Sequence, residues 1–480
     1  MRRVGALGAS ETATLVRTRE LSARSVIDAC LEAIAAADGD LNAFVTLDED
    51  GARRAADAID ATIRAGHEPG PLAGVPVGIK DLLFTAGLRT TFGSAHYRNF
   101  VPDQDDIAVE RLRAAGAVVI GKTNTSEFGY GPTPRNVLFP PTRNPWNPVL
   151  SPTGSSAGSA AAVAGGLVPL ALGSDGGGSI RVPAAMTGLV GFKPSFGRIP
   201  VYPGCRDDRL PGVSGWESLE HIGPMARTVA DVALAYAVMA GPDARDRHSL
   251  PSSPQGAMDT ASWRIAYSPD LGFAAVDDDV AAVCARAVED LAHALGATLS
   301  CAAPEIGDLQ PSFEALVALD TDMDGLRRMR ETTGVPFGPA LSRLLEREWS
   351  AADFGAAQLA RKRTANAMAA FMSDFDLLVT PATATAAFPL ELDAPATLGG
   401  RPAPPSAFAP FSTFSNLTGQ PAISLPAGLT PDGRPVGLQV VGRHLADAEV
   451  LHAASLFERT RPFPQRLDKD GRSGLGPIRV

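Results

Sequence analysis

The hydrophobic pattern along the chain falls into alternating blocks of two periods. Between about residues 10 and 65, SARSVIDACLEAIAAA and DGARRAADAIDATIRAG repeat apolar residues at helical spacing, which predicts two amphipathic helices with Ser22 or Ser25 available as caps. PLAGVPVGIKDLLFTAG then reads as a strand ending near Lys80, and DDIAVERLRAAGAVVIGKTN as a helix followed by a strand. A helix at AAAVAGG, an apolar strand at LVPLALGSD and another at GLVGFKPS continue the alternation. This is the rhythm of a layered α/β domain.

From about 262 to 376 the pattern becomes charged and helical, as in FEALVALDTDMDGLRRMRETTG. DLLVTPA, PAISLPAGL and PVGLQVVGR follow as strands, and DAEVLHAASLFERT as a final helix, while LDAPATLGGRPAPPSAFAPF reads as a loop. The expected organisation is one unit over 1–480. N-terminal helices (1–65) lead into an α/β core (about 66–261 and 377–465), and a mostly helical section (about 262–376) roofs the site.

Composition narrows the function classes. Hydrophobic residues are 45% and charged residues 20% of 480, with no apolar run long enough to span a bilayer. Lys+Arg 43 against Asp+Glu 53 gives a net charge of −10 without a basic stripe, which argues against nucleic-acid partners. Cys30, Cys205, Cys284 and Cys301 are scattered and the 7 histidines isolated, so neither a zinc site nor a disulfide framework is expected, and the cysteines read as free core residues. The N-terminal apolar stretch, interrupted by Glu11, is too short for a signal peptide, so a cytoplasmic protein is expected. A homodimer is the default assembly of such a protein.

Lysine is rare in this chain. Lys80, Lys122, Lys193, Lys362 and Lys469 are the only ones, and elsewhere positive charge is supplied by arginine. A lysine retained against that bias is a candidate for chemistry, because an amine can lose its proton and a guanidinium cannot. Lys362 and Lys469 lie in polar, surface-like segments.

Three short stretches offer chemistry. Gly154-Ser155-Ser156-Ala157-Gly158 fits the nucleophile-elbow pattern G-x-S-x-G, but prolines at 145, 148 and 152 exclude the strand an elbow needs, and His444 and His452 lack a distinguishing context. Gly173-Ser174-Asp175-Gly176-Gly177-Gly178-Ser179-Ile180-Arg181 lacks a P-loop ending, yet its consecutive glycines leave backbone N–H groups open to cradle negative charge. A serine beside such donors can have its oxyanion stabilised by the same turn. Lys80, in the apolar run VGIKDLL, starts from a pKa of about 10.4, and burial can bring it low enough to act as a base.

Taken in order, these stretches resemble the amidase signature family. The matching motifs are VGIKD around Lys80, GKTNTSEFG at 121–129, RNPWNP at 143–148, TGSSAGSAAAVA at 153–164, GSDGGGSIRVPA at 173–184, GFKPSFGRIP at 191–200 and GPMARTVAD at 223–231, with PVGLQVVGR near the C-terminus. The resemblance implies an α/β fold with a large mixed β-sheet covered on both faces by helices. It implies a Ser–cisSer–Lys triad of Ser179, Ser155 and Lys80, with a cis Gly154–Ser155 peptide. The oxyanion hole would be the N–H groups of Gly176, Gly177, Gly178 and Ser179, and the acyl group would lie near Gly129, Tyr130 and Gly131. Asp175 and Arg181 would brace the turn, Ser156 and Ser159 would serve loop and helix, and Lys122 and Lys193 the scaffold. Thr153 and Ala157, where glycine is common, and Gly176, where threonine is frequent, depart from the pattern and are expected to bear on substrate preference.

The function so implied is cleavage of an amide C–N bond in a small molecule through an acyl-enzyme, with no metal or organic cofactor required. Three alternatives share the motifs: a carbamate (urethane) or ester hydrolase, the glutaminase subunit of a tRNA-dependent amidotransferase, and a non-catalytic binding scaffold.

Overall fold

The structure is a computed structural model that describes residues 7–213, 215–251, 258, 260 and 262–462. Among the described residues thirteen strands are formed: β1 Phe44–Leu47, β2 Pro76–Lys80, β3 Val118–Thr123, β4 Leu170–Ser174, β5 Val190–Lys193, β6 Ile222–Ala226, β7 Arg264–Tyr267, β8 Thr298–Cys301, β9 Leu377–Pro381, β10 Thr397–Leu398, β11 Arg401–Pro402, β12 Ala422–Leu429 and β13 Pro435–Gly442. Eleven make one mixed sheet in the order β1-β3-β2-β4-β6-β5-β12-β13-β9-β7-β8. β2 runs parallel to β3 and β4, β7 runs parallel to β8 and β9, and the remaining pairs are antiparallel. The mixed α/β architecture expected from the sequence is therefore present.

The strands β2, β3, β4, β5, β6, β9 and β13 are buried along their whole length because both faces are covered. In β4, Leu170 and Leu172 join one core with the helices Val229–Met239, Asp278–Leu295 and Asp447–Thr460. The intervening Ala171 joins the opposite core, with Ala23–Leu41 and Ala157–Ala164. A period of 2 thus distributes the strand between two layers. Ser22 is the N-cap of Ala23–Leu41, accepting from the Ser25 N–H at 3.0 Å.

The short helix Arg181–Thr187 lies close on the sheet, and strand glycines make this possible. A Cβ at Gly191 of β5 would come within 2.6 Å of Ala184 Cβ, and one at Gly437 of β13 within 2.5 Å of Ala185 Cβ. The other side of this helix, through Val182 and Met186, meets a third core built with the helices Gln310–Asp320, Pro339–Glu346 and Ala351–Asp374.

Several elements differ from the sequence reading. A further helix, Ala9–Arg17, and the edge strand β1 occupy the N-terminal region. The region 262–376 is not wholly helical, since β7, Asp278–Leu295 and β8 extend the sheet at its edge. β6 includes Pro224, and a proline argues against an interior strand, yet β6 lies between β4 and β5. The Pro-rich stretch carries the β10–β11 hairpin, turned by Gly399 and Gly400, both at positive φ. Cys30 and Cys284 are buried free thiols, as expected, whereas Cys301 is exposed on the edge strand β8 and Cys205 is half-buried. The expectations for Lys469 and for the core after residue 462 lie outside the described residues.

Gly437→Ala is expected to destabilise the fold by about 1–3 kcal/mol through overpacking against Ala185. Gly355→Ala, at an exposed helical position where a Cβ meets nothing within 4 Å, should stabilise by roughly 0.5–1 kcal/mol. Paired urea unfolding curves check both signs.

Candidate active site

Three strand ends and one loop converge at the C-terminal edge of β2 and β4. Lys80, the last residue of β2, is fully buried, and its Nζ donates to Ser155 Oγ at 2.7 Å, to Ser174 Oγ at 2.9 Å and to the Ser174 carbonyl at 3.2 Å. Burial lowers its pKa from 10.5 to about 8, opposed by the nearby carboxylates of Glu220 and Asp175. The Gly154–Ser155 peptide is cis.

Ser156 ties this loop to the glycine-rich turn. Its Oγ donates to the Ser174 carbonyl at 3.2 Å and accepts from the Ser174 N–H at 3.3 Å, and its own N–H donates to the Ser179 carbonyl at 3.3 Å. Ser159 bonds instead to Thr123 and to the Leu172 carbonyl. No strand leads into Ser156, which is the N-cap of Ala157–Ala164, so the elbow arrangement is absent here.

The turn itself is held by a buried ion pair. Asp175 accepts from Arg181 Nε and Nη2, both at 2.9 Å, from the Gly178 N–H at 2.7 Å, from the Ile180 N–H at 3.2 Å and from Asn416 Nδ2 at 2.9 Å. Burial alone would raise its pKa, but the Arg181 charge and these donors hold the carboxyl well below the usual range. Arg181 spends its remaining donors on the Ser412 carbonyl, Ser415 Oγ, Gln439 Oε1 and Asn416 Oδ1 at 2.6–3.0 Å. Gly178 has φ 126°, and a Cβ there would lie 2.5 Å from Ser412 Oγ, so the turn requires glycine at this position.

One expected role is corrected by this geometry. The Gly178 N–H is engaged by Asp175, so it braces the turn and cannot also serve an oxyanion. The N–H groups of Gly176, Gly177 and Ser179 have no acceptor among the described residues. Ser179 is half-buried, unlike the fully enclosed Ser156 and Lys80.

Aromatic rings stand over the turn. A Cβ at Gly176 would lie 2.7 Å from Trp216 Cε3, and one at Gly177 would lie 2.6 Å from Phe313 Cζ. The departure noted at Gly176 thus has a physical reason, because the indole takes the space of a side chain. Trp216 sits 4.8 Å from the Tyr130 ring and 6.1 Å from Phe313, centroid to centroid, and donates its indole N–H to the Phe128 carbonyl at 3.2 Å. A Cβ at Gly129 would lie 3.6 Å from Ser155 Oγ, which puts Gly129 beside the loop serine. Gly131 faces Ala340 instead.

Lys122 and Lys193 are also fully buried, but each is occupied elsewhere. Lys122 Nζ bonds the Leu83 carbonyl and the hydroxyls of Thr85 and Thr90, and Lys193 bonds the carbonyls of Pro194 and Gln420. Sequence reasoning missed Ser174, Glu220, Ser412, Asn416 and Gln439. Ser174 stood in the glycine-rich motif without an assigned task, and the others carry no local pattern that ties them to it.

A family model described as Amidase matches residues 25–451. The chain belongs to the amidase family. As an amidase it is a hydrolase of amide C–N bonds. It is 37% identical to an acylamidase of Rhodococcus erythropolis, with 97% of each chain covered. It is also 37% identical to a glutamyl-tRNA(Gln) amidotransferase subunit of Acidothermus cellulolyticus, covering 94% of this chain and 93% of that one. The amidase superposes on the crystal structure of a bacterial aryl acylamidase of the amidase signature family, with a TM-score of 0.87 at 30% identity, covering 96% of this chain and 97% of the other. Among its described residues no helix is long and apolar enough to cross a membrane, and no group of three or more His, Cys, Asp or Glu side chains could hold a metal ion.

Arg181→Met should cost about 3–5 kcal/mol of stability by leaving Asp175 charged, buried and unpaired. Asp175 has a depressed folded pKa, so the pair's contribution is full above about pH 4 and is lost as pH falls below it. The unfolded carboxyl is common to both proteins and cancels, and without Arg181 burial raises the folded Asp175 pKa, so the stability gap, measured by urea unfolding, is expected to narrow as pH falls through that raised pKa.

Proposed function

We propose that this amidase hydrolyses acyl amides carrying an aromatic group through an acyl-enzyme on Ser179. The observation that carries the reading is the 2.7 Å bond from a buried Lys80 amine, lowered in pKa, to Ser155 Oγ. Ser179 Oγ attacks the carbonyl carbon and passes its proton to Ser155, which passes its own to neutral Lys80. The oxyanion is received by the N–H groups of Gly176, Gly177 and Ser179. The proton returns by the same path to the leaving nitrogen as the C–N bond breaks. Water, activated in the same way, then releases the carboxylic acid and restores Ser179.

Trp216, Phe313 and Tyr130 support an aromatic substrate, since flat rings beside the turn favour stacked or edge contacts with an aryl group. The names of the acylamidase and aryl acylamidase relatives agree with that reading. The same attack acts on carbamates and esters, and a cytoplasmic location belongs to the same reading. The identity to an amidotransferase component favours one other reading, a glutaminase working with partner chains.

Two experiments test the proposal. A set sharing one aryl leaving group, as anilide, carbamate and ester, is compared with glutamine by kcat/KM, with Ser179→Ala as the blank. The anilide is expected to exceed glutamine by orders of magnitude in the isolated chain, and glutamine in the lead would favour the amidotransferase reading. The base is neutral above its folded pKa, so kcat/KM should rise with pH to a plateau above about 8. Lys80→Ala should lose several orders of magnitude, and near-wild-type turnover at neutral pH would refute Lys80 as the base.

A further inference from the structure

A second carboxylate besides Asp175 acts on the Lys80 amine, close to a serine that the proposed mechanism does not use. Ser174 Oγ accepts from Lys80 Nζ at 2.9 Å, and the Glu220 carboxylate is close enough to this pair that the Lys80 charge and the Ser174 hydroxyl both lower its pKa. A hydroxyl has one proton to donate, and a Ser174 that accepts from Lys80 keeps that proton available for a carboxylate. Ser155 Oγ, Lys80 Nζ and Ser174 Oγ form a continuous hydrogen-bonded chain, and the Glu220 charge acts on its central amine.

Sheet register puts Glu220 there. β4 and β6 are antiparallel with Ser174 opposite Ile222, and the pairing continues one step past the strand ends, where the Asp175 and His221 backbones exchange bonds of 2.8 and 3.2 Å. Residue 220 is two positions from Ile222, so it shares the face of Ile222 and of its partner Ser174. The Glu220 N–H is fixed to the Trp216 carbonyl at 2.8 Å, so the same short segment carries the aromatic wall and the carboxylate.

We propose that Glu220 is a positioning residue that supplies the counter-charge to Lys80 through Ser174 when the amine takes the serine proton. The proposal rests on the reading of Lys80 as the base. During attack the proton arrives on a fully buried amine, and the ammonium so formed needs a negative partner. Asp175, the other carboxylate that acts on Lys80, is already bound to Arg181. Glu220 has no such arginine among the described residues, and the charges of Lys80 and Asp175 act on it; its own charge also acts on Asp106, Cys205 and Tyr130. Burial raises its pKa and the Lys80 charge lowers it, as expected of two groups whose protonation is linked. Glu220 would therefore stabilise protonated Lys80 without contacting the substrate.

The test is the pH profile of kcat/KM on an acyl anilide. Removing a negative neighbour lowers the pKa of an amine, so Glu220→Gln should move the rising limb about 1 pH unit lower. The plateau should fall about tenfold or more, because the ammonium formed during attack has lost its counter-charge. Glu220→Asp keeps the charge and should return the limb toward the wild-type position. If Glu220→Gln does not fold, Ser174→Ala decides, since cutting the link should move the limb in the same direction. A limb that stays in place in a folded Glu220→Gln or Ser174→Ala protein overturns the proposal. Inactive Lys80→Ala alongside that result leaves the base assignment standing, whereas an active Lys80→Ala removes the base and this proposal together.

Discussion

The buried pair of Asp175 and Arg181 is the interaction on which the site depends. Both side chains are fully buried at 2.9 Å, and between them they reach the glycine-rich turn, the start of the Arg181–Thr187 helix, the Thr413–Thr418 helix and β13. Such a pair is costly to desolvate and is tolerated when every donor and lone pair finds a partner. Here Gly178, Ile180, Asn416, Ser412, Ser415 and Gln439 supply those partners. The result is a turn fixed from behind, with the N–H groups of Gly176, Gly177 and Ser179 left without an acceptor among the described residues. Preorganised donors of this kind avoid reorganisation at the moment of attack.

The second constraint is the separation of tasks among buried lysines. Lys80, Lys122 and Lys193 are all enclosed, and enclosure lowers the pKa of each. What distinguishes Lys80 is its partners. Lys122 and Lys193 spend their protons on backbone carbonyls and threonine hydroxyls, while Lys80, besides one carbonyl, bonds two serine hydroxyls, Ser155 on the cis loop and Ser174 at the end of β4. Burial makes a neutral amine accessible, and the hydrogen-bond partner decides whether that amine can move a proton.

Much of this was legible in the sequence. The strands β2, β3, β4, β5, β9, β12 and β13 follow from apolar runs between turn residues, and the lysine bias points to Lys80, Lys122 and Lys193 against the exposed Lys362. What was missed has a common cause. β6 is interrupted by Pro224 and β8 is mostly exposed, so neither shows the local signal of a strand, and tertiary pairing forms both. Asn416 and Gln439 lie more than two hundred residues from Asp175 and Arg181 in the chain, and Glu220 is brought to Ser174 by register alone. The engaged N–H of Gly178 was not predictable from a glycine triplet, because only the fold reveals which amide points back to Asp175.

The central claim is that Ser179, and no other serine of the crowded loops, carries the acyl group. Rapid acid quench of the enzyme with an activated aryl ester, followed by peptide mass spectrometry, tests it directly. The account predicts a mass increase equal to the acyl group on the peptide containing Ser179, formed in a burst and lost on further incubation. An adduct on Ser155 or Ser156, or turnover without any acylated serine, would contradict it.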